Sequence, residues 1–188
     1  MKEENIDYYR LDKCEQIAKT FAGSYDYQTN TFDCKGHDVQ FRNSWLDENG
    51  SFDFKLINTS ISWDFMFDGC SQLKYLPEDF IIPDHVKSCN YMFNYCTNLE
   101  KLPQNFILPN SVTMCVNMFY GCISLTELPQ DFTIPNSVTL CRRMFANCLY
   151  LDHLPTNFHI PDKADYQDIF LDCNHGKFNA KDYLIVEL

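Results

Sequence analysis

The chain spells one phrase four times at a fixed interval. MFDGC, MFNYC, MFYGC and MFANC begin at Met66, Met92, Met118 and Met144, each 26 residues after the last. A period of about 20 to 50 residues marks a solenoid, in which each unit buries its apolar face only against its neighbours. In register, the units begin at Trp63, Cys89, Cys115 and Cys141. A shorter fifth, YQDIFLDCNHGKF, begins at Tyr166. The shared pattern is C-x-x-M-F-x-x-C-x-x-L-x-x-L-P-x-x-F-x-I-P-x-S-V.

Each part of the pattern has a physical reading. Val112, Cys115, Met118, Phe119 and Cys122 fall at i, i+3, i+6, i+7 and i+10, close to an amphipathic stripe. Pro109-Asn110-Ser111 ahead of it offers capping oxygens. Gly69, Gly121 and Asn147, just before the second cysteine, tolerate the left-handed conformation that ends a helix. The spacing therefore predicts a short helix over residues 113–120 and their equivalents. The following C-x-x-L-x-x-L-P reads as a short parallel strand. Phe132-x-Ile134 before Pro135 reads as a second extended piece.

The run L-x-x-L-P-x-x-F-x-I-P-x-S-V-T-x-C-x-x-M-F-x-x-C-x-x-L resembles the BspA-like leucine-rich repeats in their Met-Phe-containing form. The resemblance covers about residues 63–175. It implies a leucine-rich-repeat-like scaffold used for protein–protein contact, since that family is defined by its scaffold and not by a catalytic site. The expected fold is a capped α/β solenoid of short helices and short parallel strands, with four full units and one degenerate one. Residues 1–60 are expected to form an N-terminal cap, 61–175 the solenoid and 176–188 a C-terminal cap, all as one structural domain.

A solenoid needs its ends covered. Leu11, Cys14, Ile17, Ala18 and Phe21 lie at helical spacing, and Gly23 ends the run. VQFRNSW and SFDFKLI flank Leu46-Asp47-Glu48-Asn49-Gly50, and Asn-Gly is a strong hairpin signal. The N-terminal cap is thus expected to be a helix followed by a β-hairpin. The terminal apolar run Tyr183-Leu184-Ile185-Val186 is expected to close the other end as a strand or helix.

The chain holds 10 cysteines, and most are in register. Cys70, Cys96, Cys122 and Cys148 share the 26-residue spacing, as do Cys89, Cys115 and Cys141; Cys173 follows Cys148 by 25. A disulfide framework favours irregular spacings and a secreted context. Thiols that recur in one slot per unit read as small buried hydrophobes, reduced and structural. The start MKEENIDYYR has no apolar stretch behind its charges, and no run of residues is long and apolar enough to span a bilayer. The expected compartment is the cytoplasm, with a virion-associated or surface location as the alternative.

The net charge of −11 disfavours a nucleic-acid partner. Residues 87–143 hold three acids and four bases, so no continuous acidic stripe imitates a phosphate backbone. Chemistry is equally sparse. Cys34-x-x-His37 and Cys173-x-His175 are Cys-His pairs of a kind zinc favours, but five stacked units would hold them about 25 Å apart. The histidines, His37, His85, His153, His159 and His175, sit in no mechanistic motif. No metal, cofactor or enzymatic activity is expected.

What remains is surface. Two columns flank core positions and vary in chemistry from unit to unit. One is Tyr75, Lys101, Glu127 and His153; the other is Ile81, Ile107, Thr133 and His159. Tyr91, Tyr95, Tyr120 and Tyr150 add aromatic rings of the type favoured at interfaces. Together they imply a non-enzymatic protein-binding module. The rival readings are a structural or decorating subunit of a larger viral, phage or cell-surface assembly, and a small enzyme or inhibitor working through the caps.

Overall fold

The computed structural model describes residues 24–26, 28–34, 36 and 39–184. The expected helix over Leu11–Phe21, Cys14 and His37 lie outside the described residues. From Trp63 to Cys173 the chain is a solenoid of stacked coils that follows the sequence period. Ser62, Ser88, Met114, Leu140 and Asp165 bridge one another in parallel, coil to coil.

The helix expected over residues 113–120 is not formed, and no α-helix occurs among the described residues. The reason is a backbone alternation. In the second coil the amides of Cys89, Tyr91, Phe93 and Tyr95 donate to the carbonyls of Met114, Val116, Met118 and Tyr120 in the third, at 2.8–2.9 Å. The intervening amides of Met92, Asn94 and Cys96 turn back on the carbonyls of Cys89, Tyr91 and Phe93, at 3.1–3.4 Å. The same alternation recurs from the third coil to the fourth and from the fourth to the fifth. Such a ribbon of three-residue turns needs φ > 0 at regular places. It has it at Tyr91 and Tyr95, Asn117 and Gly121, and Arg143 and Asn147. A left-handed residue cannot continue an α-helix, so the apolar spacing is met by turns instead. Asn110 and Ser111 cap nothing helical; Pro109 accepts from the Val112 amide and closes a turn.

The strands expected in each coil shrink to single-residue bridges such as Glu127↔His153. Their ladder bonds do run coil to coil, from the amides of Glu100, Thr126 and Asp152 to the carbonyls of Lys74, Glu100 and Thr126.

The core is two rows of phenyl rings. Phe67, Phe93, Phe119, Phe145 and Phe170 stack at 5.1–5.8 Å between centroids. Phe80, Phe106, Phe132 and Phe158 stack at 6.2–6.4 Å. The rows meet edge to face, as in Phe119–Phe132 at 6.3 Å and 72°. Each such pair adds about 0.5–1.5 kcal/mol beyond area burial.

The nine described cysteines are all unpaired and buried. Cys96, Cys122 and Cys148 donate their thiols to the carbonyls of Phe67, Phe93 and Phe119, at 3.0–3.1 Å. Cys is thus both filler and weak donor, tying each coil to the one before it. Burial pushes the thiols of Cys70, Cys141 and Cys173 up to about 12, and those of Cys96, Cys115, Cys122 and Cys148 well above the ordinary thiol value.

The N-terminal hairpin is also replaced. The Asn49-Gly50 turn forms, with the Gly50 amide on the Asp47 carbonyl at 3.1 Å, but its flanks do not pair with each other. Instead β1 (Ser24–Asp26) pairs antiparallel with β2 (Thr31–Asp33), and β2 pairs parallel with β3 (Lys55–Ile57). Residues between β2 and β3 make an imperfect extra coil. Phe41, 26 residues before Phe67, packs 4.6 Å from it, donates its amide to Met66 and accepts the Cys70 thiol. Gly50 is held against the next coil, where an added Cβ would overlap the Gln72 carbonyl oxygen, and its φ is +75°. At the other end, a 3-10 turn over Ala180–Tyr183 precedes a parallel bridge between Leu184 and Ile160. Phe178 and Tyr183 cover the last rings, Phe170 and Phe158, at 5.4 and 5.6 Å.

Two outcomes are expected. Phe119→Ala removes a ring that is 0% exposed and contacts both rows. It should cost about 3–5 kcal/mol, read as a fall in the urea midpoint; an unchanged midpoint would contradict this packing. The thiols give a pH dependence. Below about pH 8 folded and unfolded chains hold these protons equally. Above about pH 8.5 the unfolded thiols ionise while the folded ones, held up toward 12, do not. The unfolded state then binds fewer protons, so the urea midpoint should fall steadily from pH 8.5 to 10.5. A midpoint flat across that range would show that the thiols titrate normally in the fold.

Candidate interaction surface

The coil backbone decides what faces outward. After each L-P step the chain makes a turn in which the phenylalanine amide donates back to the proline carbonyl: Phe80 to Pro77, Phe106 to Pro103, Phe132 to Pro129 and Phe158 to Pro155, at 2.9–3.0 Å. Three residues on, a second turn begins and closes with Val86 on Pro83, Val112 on Pro109 and Val138 on Pro135. Between the turns the chain is extended, and side chains alternate in and out. Phe80 and Ile82 are buried, and Ile81 between them is 60% exposed; Phe106 and Leu108 are buried, and Ile107 is 53% exposed. Thr133 and His159 continue the column, both half-buried. The His159 ring nitrogen Nδ1 lies 3.2 Å from its own turn's Asn157 carbonyl.

The turns place two rows of short polar residues along this column. Asp79, Asn105, Asp131 and Asn157 form one, and Asp84, Asn110, Asn136 and Asp162 form the other; all are exposed. Sequence reasoning missed these rows. The signal was there, since Asx residues recur in step beside each proline and are the residue types that turns select.

The first predicted column lies on the bridge ladder. Lys101, Glu127 and His153 are exposed, and Tyr75 is half-buried. Its members are partly engaged with their own neighbours. The Tyr75 hydroxyl donates to Glu100, which pushes its pKa up, and Lys101 Nζ sits 5.9 Å over the Tyr75 ring. His153 Nδ1 lies 3.7 Å from Asp152. The lysine and asparagine that hold Asp152, Lys177 at 2.7 Å and Asn174 at 2.9 Å, keep its carboxyl below the usual range. An open cleft of about 540 Å³ lies here, lined by Glu127, Tyr150, His153 and His175 among others.

The structure brings the members of each column together in stacked coils. The tyrosines do not form one set. Tyr91 stacks on Phe65 at 4.8 Å, Tyr95 meets Tyr120 edge to face at 5.3 Å, and Tyr150 stands 60% exposed by the cleft. Of the two Cys-His pairs, Cys34 and Cys173 are buried, whereas His175 is exposed. Among the described residues no three His, Cys, Asp or Glu side chains converge as metal ligands would. Among the same residues no helix is long and apolar enough to cross a membrane.

Two solved structures are similar to this chain. One is a leucine-rich repeat protein of T. pallidum, with 17% identity over 84% of this chain and 88% of that chain, at a TM-score of 0.39. The other is a leucine-rich repeat protein from Bacteroides ovatus, with 20% identity over 81% of this chain and 43% of that chain, at a TM-score of 0.38. No curated protein matches the chain. A family profile described as "Mycoplasma protein of unknown function, DUF285" matches residues 61–183, which takes in every coil from Trp63 onward. The chain therefore belongs to this DUF285 family of BspA-like repeats.

Proposed function

We propose that the chain is a non-enzymatic protein-binding module that engages its partner through the Ile81–Ile107–Thr133–His159 column. The observation that carries the reading is the pair of isoleucines, 60% and 53% exposed, side by side on neighbouring coils. The positions on either side of them, Phe80, Ile82, Phe106 and Leu108, are buried and fill the core, so nothing in the stacking requires an isoleucine there. A large aliphatic side chain left in water forgoes about 1.5–3 kcal/mol that a partner could recover. The absence of enzymatic activity is supported by the thiols. Buried and held in the protonated form, the described cysteines are poor nucleophiles. The column of Tyr75, Lys101, Glu127 and His153 is the second surface, and part of its hydrogen-bonding and charge capacity is already taken up within the chain.

Affinity capture from the native cell, compared with an Ile81→Ser, Ile107→Ser, His159→Ser variant, tests this. One dominant protein partner should come down with the parent chain and be lost from the variant. A partner retained by that variant but lost on replacing Lys101, Glu127 and His153 with Ala would move the contact to the second surface. Oligomers or particles in light scattering, with no other protein captured, would favour an assembly subunit instead.

A further inference from the structure

Several carboxylates along the turn ribbon are used by the fold. Asp64 accepts from the Ser88 hydroxyl and the Asn90 amide, Asp68 from Asn94, Asp165 from Arg142 and Asp168 from Arg143. Those beside the isoleucine column are not. Glu78, Asp79, Asp84, Asp131 and Asp162 have no hydrogen-bond or ion-pair partner among the described residues. Against them the same turns supply one ammonium, Lys163. Three of the five, Glu78, Asp79 and Asp84, belong to the coil that carries Ile81. Turn propensity accounts for Asp or Asn at these places. It does not account for Ile81 and Ile107 between them.

We infer that the Ile81–Ile107 face takes a cationic, apolar-anchored segment of another protein: an aliphatic side chain seated on the two isoleucines, flanked by Lys or Arg that face Glu78, Asp79 and Asp84. This rests on the reading that the isoleucine column is the contact. Charge decides between the candidate occupants. A second copy of this chain would bring the same unpaired acids to a two-fold contact, and like charges across an interface are repelled. Nucleic acid and anionic lipid surfaces are repelled likewise. A basic segment gains both the aliphatic contact and the long-range attraction of a protein with net charge −11.

The test uses the full chain with labelled isoleucine methyls and three probe peptides: Gly-Lys-Leu-Lys-Leu-Lys-Gly, its Ser-for-Lys analogue and its Glu-for-Lys analogue. The Lys peptide should shift the Ile81 and Ile107 methyl resonances and bind at least about tenfold more tightly than the Ser peptide at low salt. The Glu peptide should not bind, and 0.5 M NaCl should erase most of the Lys advantage. A Glu78→Gln, Asp79→Asn, Asp84→Asn variant should lose that advantage. A control removing the same charge elsewhere, Glu48→Gln, Asp172→Asn, Asp182→Asn, should keep it; equal losses would reduce the effect to overall charge and overturn the inference. Equal binding of the Lys and Ser peptides at these methyls would overturn the cationic partner while leaving the isoleucine contact standing. No methyl shift with any peptide would overturn the inference, and the capture experiment would then judge the contact by itself.

Discussion

Everything in this solenoid depends on one alternation in the backbone. Along the Met-Phe ribbon every second amide donates to the next coil, and the amides between turn back on their own. This satisfies the backbone of a coil too short for a real helix and too bent for a strand. It also fixes the separation of neighbouring coils at hydrogen-bonding distance, which sets every stacking distance in the core. The alternation costs left-handed residues at Phe65, Tyr91, Asn117 and Arg143, on the order of 1–2 kcal/mol each for a residue with a Cβ. That cost is offset because each such residue also donates an amide to the adjoining coil.

The side chains follow from that spacing. Flat rings stack well when repeated at the separation of neighbouring coils, so one phenylalanine slot per coil becomes a continuous row, and two slots become two rows locked edge to face. The slot beside the first row is narrow and looks onto a phenylalanine carbonyl. A thiol fits both demands, being small, apolar and a weak donor. Serine would bring a stronger donor but a costlier desolvation, and alanine would leave the contact unmade. The cysteines of this column are therefore part of the scaffold's chemistry, buried and held in the protonated form.

Because stacking uses the inward residues and the ribbon amides, the side chains of Ile81, Ile107, Glu78, Asp79 and Asp84 are not needed for it. The contents of the proline-led turns differ along the chain: isoleucine with three carboxylates in the first coil, isoleucine with amides in the second, threonine and histidine beyond. A regular frame thus presents an irregular face, which is what recognition of one partner segment requires.

The period, the core list and the unpaired thiols were legible in the residue order, because a repeated spacing of Met, Phe, Cys and Leu has only one economical use, to fill the same slot in successive coils. Ile81, Ile107, Lys101, Glu127 and His153 were legible as outward for the same reason, whereas Tyr75, Thr133 and His159 are half-buried. The helix was not, since the spacing i, i+3, i+6, i+7 of Val112 to Phe119 is met equally by an α-helix and by a ribbon of turns. Sequence periodicity reports which side chains share a face, and not whether an amide bonds its own coil or the next. The extra coil around Phe41 was hidden behind an Asn-Gly pair that reads locally as a hairpin. Contacts with Met66 and Cys70, far along the chain, outweigh that local preference. Residue order alone thus decides that the chain stacks and what it buries. Only the tertiary structure decides how the backbone closes each coil and which carboxylates are left without partners, because both depend on hydrogen bonds between residues some 25 positions apart.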